Sequence, residues 1–301
     1  MVAPDYGQQG YKAIIASLED GVLTVLINRA NQRNTFDKSL FMDLNHVFAL
    51  ADLDDRVRVV ILTAESTAPA FCSGADISGG WDGLWDKEES KEGDHAHRDG
   101  GGQLSLTIYR CRKLTIAAVN GHAAGVGMTA LQLPFDIRFA WEGAKLAYPF
   151  VRRGIVPEAC STYLLPRLIG QAGAHYVFLT GVTMTPKTKV IAPLYQETFA
   201  TREEVYPAAL KLAKDVAQNT SQLSIAYAKG LLQHPGNSIE ENHLLDSRAF
   251  RIMGKSSDAM EGSMSFMKRR PPNFEGRVGK DLESWYPWWQ EINVKHRKAK
   301  L

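Results

Sequence analysis

Glu158 lies in the run Arg152-Arg153-Gly154-Ile155-Val156-Pro157-Glu158-Ala159-Cys160, after a proline and between apolar neighbours. A carboxyl in a partly apolar pocket beside Val156 and Ala159 would have its pKa raised, which suits a proton-transferring base. Taken alone, the same residue also reads as a first-turn helix glutamate behind an N1 proline. Two other runs could bind an anion. In Phe71-Cys72-Ser73-Gly74-Ala75-Asp76-Ile77 the glycine permits a sharp turn that aims successive N–H groups at one acceptor. Alone, it reads more often as a plain strand end. Val119-Asn120-Gly121-His122-Ala123-Ala124-Gly125-Val126-Gly127 puts small residues between a buried strand and a helix start. Free N–H groups there, near the positive end of a helix dipole, could hold a phosphate or an oxyanion. The run matches neither the dinucleotide-binding nor the Walker glycine pattern. His95 and His97, with Asp94 and Asp99, make a metal-like cluster, but in a glycine-rich stretch with no fixed scaffold, so metal binding is not expected. His122 reads as a packed or solvated imidazole rather than a base.

These residues need a frame. Ala13 to Asn28 alternates as two strands joined at Asp20-Gly21. Asp37 to Ala51 has helical spacing, with Leu40, Leu44, Val47 and Phe48 on one face. Arg58 to Thr63 and Leu114 to Val119 read as buried strands, Asp136 to Ala140 and Lys145 to Tyr148 as shorter ones. Ser78 to Gly102 is rich in Gly and acidic residues, without an apolar period, and is expected to be a loop or insertion. A helix is expected from Leu104 to Cys111. Another starts at Met128, and Pro134 should end or kink it. A further helix spans Gly173 to Thr180. From Arg202 the period turns mainly helical, over Val205 to Val216, Leu223 to Leu232 and Ile239 to Met253, which places a boundary near residue 200. Strand–strand–helix units recurring over the first part predict an α/β fold. Trp285, Trp288 and Trp289 in an extended tail predict docking, on the same subunit or on a neighbour.

The 301 residues carry 35 Lys and Arg against 33 Asp and Glu, a formal charge of +2, which argues against a nucleic-acid binder. Three cysteines, Cys72, Cys111 and Cys160, offer neither a disulfide framework nor zinc spacing and fit a reducing compartment. No apolar run reaches the ~18 residues of a membrane span. The tripeptide Ala299-Lys300-Leu301 is similar to the Ser-Lys-Leu peroxisomal address, so delivery to the peroxisomal matrix through the import receptor is expected.

Jointly, the order and spacing of the Ser-Gly-Ala-Asp turn, the Val-Asn-Gly strand end with its Gly-rich turn, Asp136-Ile137-Arg138 and Gly-Ile-Val-Pro-Glu resemble the crotonase (enoyl-CoA hydratase/isomerase) superfamily. Pro166-Arg167-Leu168-Ile169-Gly170 and Leu179-Thr180-Gly181 extend the likeness, which covers about Ala13 to residue 250. The resemblance implies an α/β spiral of repeated ββα units over residues 1–200 with the CoA thioester site. Residues 201–301 would form a C-terminal helical region that builds homotrimers, often paired into hexamers. It implies an acyl-CoA thioester as substrate, with no metal or nicotinamide. It further implies that the backbone N–H groups of Ala75 and Val126 form the oxyanion hole, that Ser73, Gly74, Asp76 and Ile77 line the substrate site with them, and that Glu158 is catalytic. The superfamily's hydratases carry a second glutamate in the helix after the Gly-rich turn. That position falls here on Thr129, and Met128 to Phe135 contains no carboxylate. The single-glutamate pattern is similar to that of peroxisomal Δ3,Δ2-enoyl-CoA isomerases, in which one base takes a proton from C2 and returns it to C4. A hydratase-type enzyme of a β-oxidation-like or biosynthetic pathway with a rearranged acid, and an inactive acyl-CoA-binding protein, are the alternatives.

Overall fold

A computed structural model describes residues 3–80 and 94–294 of the chain. Strands β1 (Ile14–Glu19) and β2 (Val22–Ile27) pair antiparallel across Asp20-Gly21, both of positive φ, as the two-residue turn requires. Helix α1 (Lys38–Leu53) starts where the Asp37 side chain accepts the Leu40 N–H. It buries the expected Leu40, Leu44, Val47 and Phe48. Strand β3 (Val59–Ala64) is buried at every position. Helix α2 (Gly100–Arg110) begins four residues before the apolar spacing predicts, because Asp99 caps it at Gly102. Then come β4 (Leu114–Val119), β5 (Ala123–Ala124), the short α3 (Val126–Thr129), β6 (Ile137–Trp141) and β7 (Leu146–Ala147).

Two antiparallel-to-parallel layers result. Six strands line up as β1-β2-β3-β4-β6-β9, where β9 is Glu197–Phe199, and every pairing after the first hairpin is parallel. A second sheet joins β5, β7 and β8 (Thr183–Met184). The side chains of β3 therefore serve two cores. Val60 and Leu62 join Leu40, Leu44, Phe48, Leu104 and Phe71 on one face. Val59 and Ile61 meet Val205, Ala209 and Ala213 of α6 (Arg202–Asn219) on the other. This alternation within a fully buried strand is the signature of a parallel sheet covered on both faces.

Helices α4 (Ser161–Ile169) and α5 (Gln171–Thr180) follow β7. After α6 come α7 (Gln222–Gln233), α8 (Ile239–Gly254) and α9 (Ser257–Met267). Neither α4 nor α9 stands out in the sequence: α4 contains Pro166, and α9 exposes Met260, Met264, Phe266 and Met267. The tryptophan-rich tail docks on α7 of its own chain. Trp289 stacks on His234 with centroids 3.8 Å apart, Trp285 stacks on Tyr227, and the Trp288 indole N–H donates to the His234 carbonyl. A Cβ on Gly230 would lie 2.9 Å from the Trp288 ring, so α7 presents a bare stripe to the aromatic cluster.

The buried polar pairs explain the remaining landmarks. Asp136 accepts from the backbone and hydroxyl of Thr115 and from the Lys229 ammonium at 2.8 Å, tying β4, the approach to β6 and α7 together. Arg138 is buried on carbonyls of Gln132, Phe135 and Leu194. Asn120 pairs with both backbone groups of Ala64, locking the ends of β3 and β4 side by side.

Candidate active site

Those locked strand ends hold two turns against each other. Cys72 bridges to Ala123 in parallel, and the Ala124 N–H donates to the Cys72 carbonyl at 3.0 Å. A Cβ on Gly127 would lie 2.4 Å from the Cys72 carbonyl oxygen, and one on Gly74 would lie 3.2 Å from that of Ala124. Only glycines allow so close an approach, and Gly125 also takes the left-handed φ of 53° that turns the chain into α3. Within this pair of turns, Gly74 O accepts from Phe36 and Asp76 N–H donates back to Phe36 O, which skips the Ala75 N–H. Val126 is the first residue of α3, so its N–H has no partner within the helix. Among the described residues, neither the Ala75 nor the Val126 N–H donates to a protein acceptor. Two idle donors on touching turns, one at a helix start, make a cradle for an oxyanion.

The neighbouring residues complete the rim. Ser73 N–H donates to Arg33 O. Asp76 accepts the Ser78 N–H, and that contact with Ser78 holds its carboxyl below the usual range. Ile77 is exposed, as an apolar substrate-facing position would be. Cys72 is buried, and burial pushes its thiol up to about 12, so it is inert.

Glu158 comes to this cradle from the loop before α4. Thr129, one turn along α3 from Val126, donates its hydroxyl to Glu158 Oε1 at 2.5 Å. The next two residues, Ala159 and Cys160, both lie in the left-handed region at φ 59° and 57°. Such backbone costs on the order of 1–3 kcal/mol per residue and persists only where its surroundings hold it. Here Ala159 N–H donates to Asp99 Oδ1 at 3.3 Å, and Ser161 N–H to Glu158 O at 3.1 Å. Glu158 is therefore not a residue of the helix that follows, and Val156, expected to flank it, points to solvent at 77% exposure. The apolar wall comes from Ala159 and from the glycine start of α2.

That start brings in a residue the motif reading left in the metal-like cluster. Asp99 caps α2, and its Oδ1 accepts the N–H of Ala159, the residue after Glu158. Gly101 makes room: a Cβ there would fall 2.1 Å from Glu158 Oε2. Burial first, then the nearby charge of Asp99, push the Glu158 carboxyl up to about 8, against the lowering effect of the Thr129 hydroxyl. Position 129 holds no carboxylate, and Asp99 brings one to the neighbourhood of Glu158 from a different element. Its signal in the sequence is an Asp capping Gly100-Gly101-Gly102 before Leu104 and Ile108; nothing local links it to Glu158, 59 positions later.

The other candidates separate from this site. Among the described residues, no group of three His, Cys, Asp or Glu side chains could hold a metal. His122 accepts the Lys145 N–H on Nδ1 and lies against the Trp141 ring, and burial lowers its pKa. Ala299-Lys300-Leu301 lies outside the described residues. No helix among the described residues is long and apolar enough to cross a membrane.

Comparison with known proteins agrees with this geometry. The enoyl-CoA hydratase/isomerase family model matches residues 17–277. The enoyl-CoA hydratase AFT3-1 of Alternaria alternata is 38% identical over 256 residues, covering 85% of this chain and 83% of its own. The 1,2-epoxyphenylacetyl-CoA isomerase of Escherichia coli is 28% identical over 280 residues, covering 88% and 98%. A crystal structure described as a probable enoyl-CoA hydratase/isomerase from Mycobacterium abscessus superposes with a TM-score of 0.75 at 34% identity, covering 88% of this chain and 98% of its own. The oxyanion cradle, the buried glutamate and these matches together mean that the chain belongs to the enoyl-CoA hydratase/isomerase family.

Proposed function

We propose that this protein is an acyl-CoA enzyme that moves the double bond of a 3-enoyl-CoA to the 2-position, with Glu158 as the proton carrier. The observation that carries the reading is the position of Glu158. Its desolvated carboxyl is fixed by Thr129, one helical turn from the idle Val126 N–H. A thioester oxygen held by Ala75 and Val126 N–H would accept the electron pair released when Glu158 takes a proton from C2. Such donors contribute ~3–4 kcal/mol each where they have been measured. The resulting dienolate is reprotonated at C4 by the same carboxyl, and the conjugated thioester leaves. A carboxyl pushed up to about 8 is basic enough for this task near neutral pH and gives its proton up without strain. Ser73, Gly74, Asp76 and Ile77 would line the path of the acyl thioester. No cofactor is needed for this proton shift.

A second reading, addition of water to a 2-enoyl-CoA, is favoured by the relatives whose names are hydratases, among them the Alternaria protein. Work in peroxisomal fatty-acid β-oxidation, import through Ala299-Lys300-Leu301, and assembly into trimers or hexamers belong to the same proposal. The deciding experiment incubates the protein with 3-cis-, 3-trans- and 2-trans-enoyl-CoA. Conjugation is followed by absorbance and hydration by an added 18 mass units. Conjugation of the 3-enoyl thioesters supports the reading, and failure to turn over any of the three refutes it.

A further inference from the structure

The start of α2 is the neighbour of Glu158 that the core holds least. Further along the helix, Leu104 and Ile108 lie in the main core, and Thr107 donates its hydroxyl to Asn45 of α1 at 2.6 Å. The start is Gly100-Gly101-Gly102, with no side chains to anchor it. Yet this stretch sets the wall beside the base. Gly101 leaves room for the Glu158 carboxyl, and Asp99 Oδ1 accepts the N–H groups of Gly102 and Ala159. Arg98 fixes it from outside. Its guanidinium donates to the carbonyls of His95 at 2.9 Å and His97 at 2.7 Å, rounding the turn before the helix, and to that of Val294 at 2.8 Å. The Arg98 carbonyl accepts from Gln103, inside the first turns of α2. Val294 is placed there by the docked tail. Trp288 donates to the carbonyl of His234, the residue that ends α7, Trp289 stacks on the same imidazole, and Arg110 at the far end of α2 reaches the Ile292 carbonyl. The tail thus runs along α2 from its last turn to the residue before its cap. Residues 285–294 lie past residue 277, where the match to the family model ends.

We propose that the tail is part of the active site's support: through Arg98 it holds the glycine start of α2 against Glu158, which makes Arg98 a positioning residue for the proton transfer. The inference rests on the isomerase reading above. The two turns of the oxyanion cradle are held by each other and by Phe36. Loosening the tail therefore disturbs the base and leaves the place of the thioester oxygen intact, so the loss falls on kcat rather than on KM. As the start of α2 swings out, water reaches Glu158 and the charge of Asp99 recedes. Both changes favour the ionised carboxyl and weaken it as a base. The other titratable groups close enough to feel its charge are the thiols of Cys72 and Cys160, and burial raises the pKa of both, so they stay neutral.

The test compares the full-length protein with Arg98→Ala, with the pair Trp288→Ala and Trp289→Ala, and with all three changes together. Isomerisation of 3-trans-enoyl-CoA is followed across pH 5 to 9. A second readout needs no turnover: alkylation of Cys160 by iodoacetamide, located by peptide mass spectrometry. The Cys160 Sγ lies 4.0 Å from the Gly102 carbonyl, so it reports on the start of α2, while Cys72 and Cys111 are buried. Arg98→Ala and the tryptophan pair should each lose ~10–100-fold in kcat with KM within about threefold, the cost of a base misplaced by about 1 Å. The acid limb should move about one pH unit or more toward acid, and Cys160 should label at least ~10-fold faster. The combined variant should be no worse than Arg98→Ala, because both changes cut one connection. Unchanged kcat and an unmoved limb in Arg98→Ala, or losses that add in full in the combined variant, overturn the proposal. A wild-type protein that converts no 3-enoyl-CoA removes the isomerase reading alone. Cys160 labelling then decides the role of the tail: faster labelling in the variants upholds it and unchanged labelling overturns it.

Discussion

Replacing Glu158 with Gln should disable the enzyme and, above neutral pH, stabilise its fold. The glutamine keeps the shape and can still accept from Thr129 through its carbonyl. It cannot carry a proton, and loss of a general base costs ~10²–10⁴ in rate. The stability effect follows from linkage. Glu158 titrates at about 8 in the folded chain, against 4.5 for the unperturbed group. Between those values the folded state holds a proton that the unfolded state has released, so stability falls as pH rises. The contribution is fully present below pH 4.5 and gone above pH 8. At about 1.4 kcal/mol per pH unit the whole span comes to roughly 5 kcal/mol, and the part between pH 6 and pH 8 to roughly 2–3 kcal/mol. The variant has no such loss. Urea unfolding at pH 6, 7 and 8, at one fixed protein concentration because assembly adds to stability, should show the variant gaining on the wild type by about that amount. Titrating groups that do not neighbour Glu158 cancel in the difference. Parallel stability curves would refute a buried Glu158 that holds its proton to about pH 8.

Three further outcomes follow from the same contacts. Thr129→Ala removes the hydroxyl that steadies Glu158 Oε1, so steady-state rates should fall about fivefold to tenfold for a net loss near 1–1.5 kcal/mol. The limb assigned to Glu158 should shift toward alkaline pH, and Thr129→Ser should restore both. Gly101→Ala places a methyl 2.1 Å from Glu158 Oε2; the helix should tolerate alanine, so circular dichroism stays native while activity drops ~10²-fold, the cost of misplacing a catalytic group by about 1 Å. Deleting Ala299-Lys300-Leu301 should leave turnover unchanged in vitro and move an amino-terminally tagged protein from peroxisomal puncta to diffuse cytosol, as read by co-localisation with a matrix marker in cells lacking the native subunit.

Regular structure and the close-packed turns at Gly74 and Gly125 were legible because local chemistry decides both. Asp20-Gly21 admits one kind of turn, Leu114 to Val119 is a strand in full, and the glycines at 74 and 125 are needed where two turns touch. The surroundings of Glu158 were not legible, because they depend on contacts between distant segments. Thr129 and Glu158 meet across 29 positions, and Asp99 reaches Ala159 across 60. Val156 looked like a wall of the pocket because apolar spacing assumes regular backbone. The two left-handed residues after Glu158 break that assumption, and neither is a glycine that would have announced it. Helix α9 escaped notice for a related reason: its apolar residues face outward, so no one-sided stripe marks it.

The docked tail has a consequence for the order in which the molecule is made. Arg98, next to the cap of α2, donates to the carbonyl of Val294 at 2.8 Å, across 196 positions of chain. Arg110, at the other end of the same helix, reaches Ile292. Closing so large a loop is slow and comes after local contacts have formed. During synthesis, the parallel sheet and its cradle can assemble while the tryptophan segment is still inside the ribosome. Arg98, one residue before the α2 cap, gains this anchor only when Val294 has emerged. A molecule in which residues 292–294 are not yet docked can thus have its parallel sheet formed while both ends of α2 still lack these anchors.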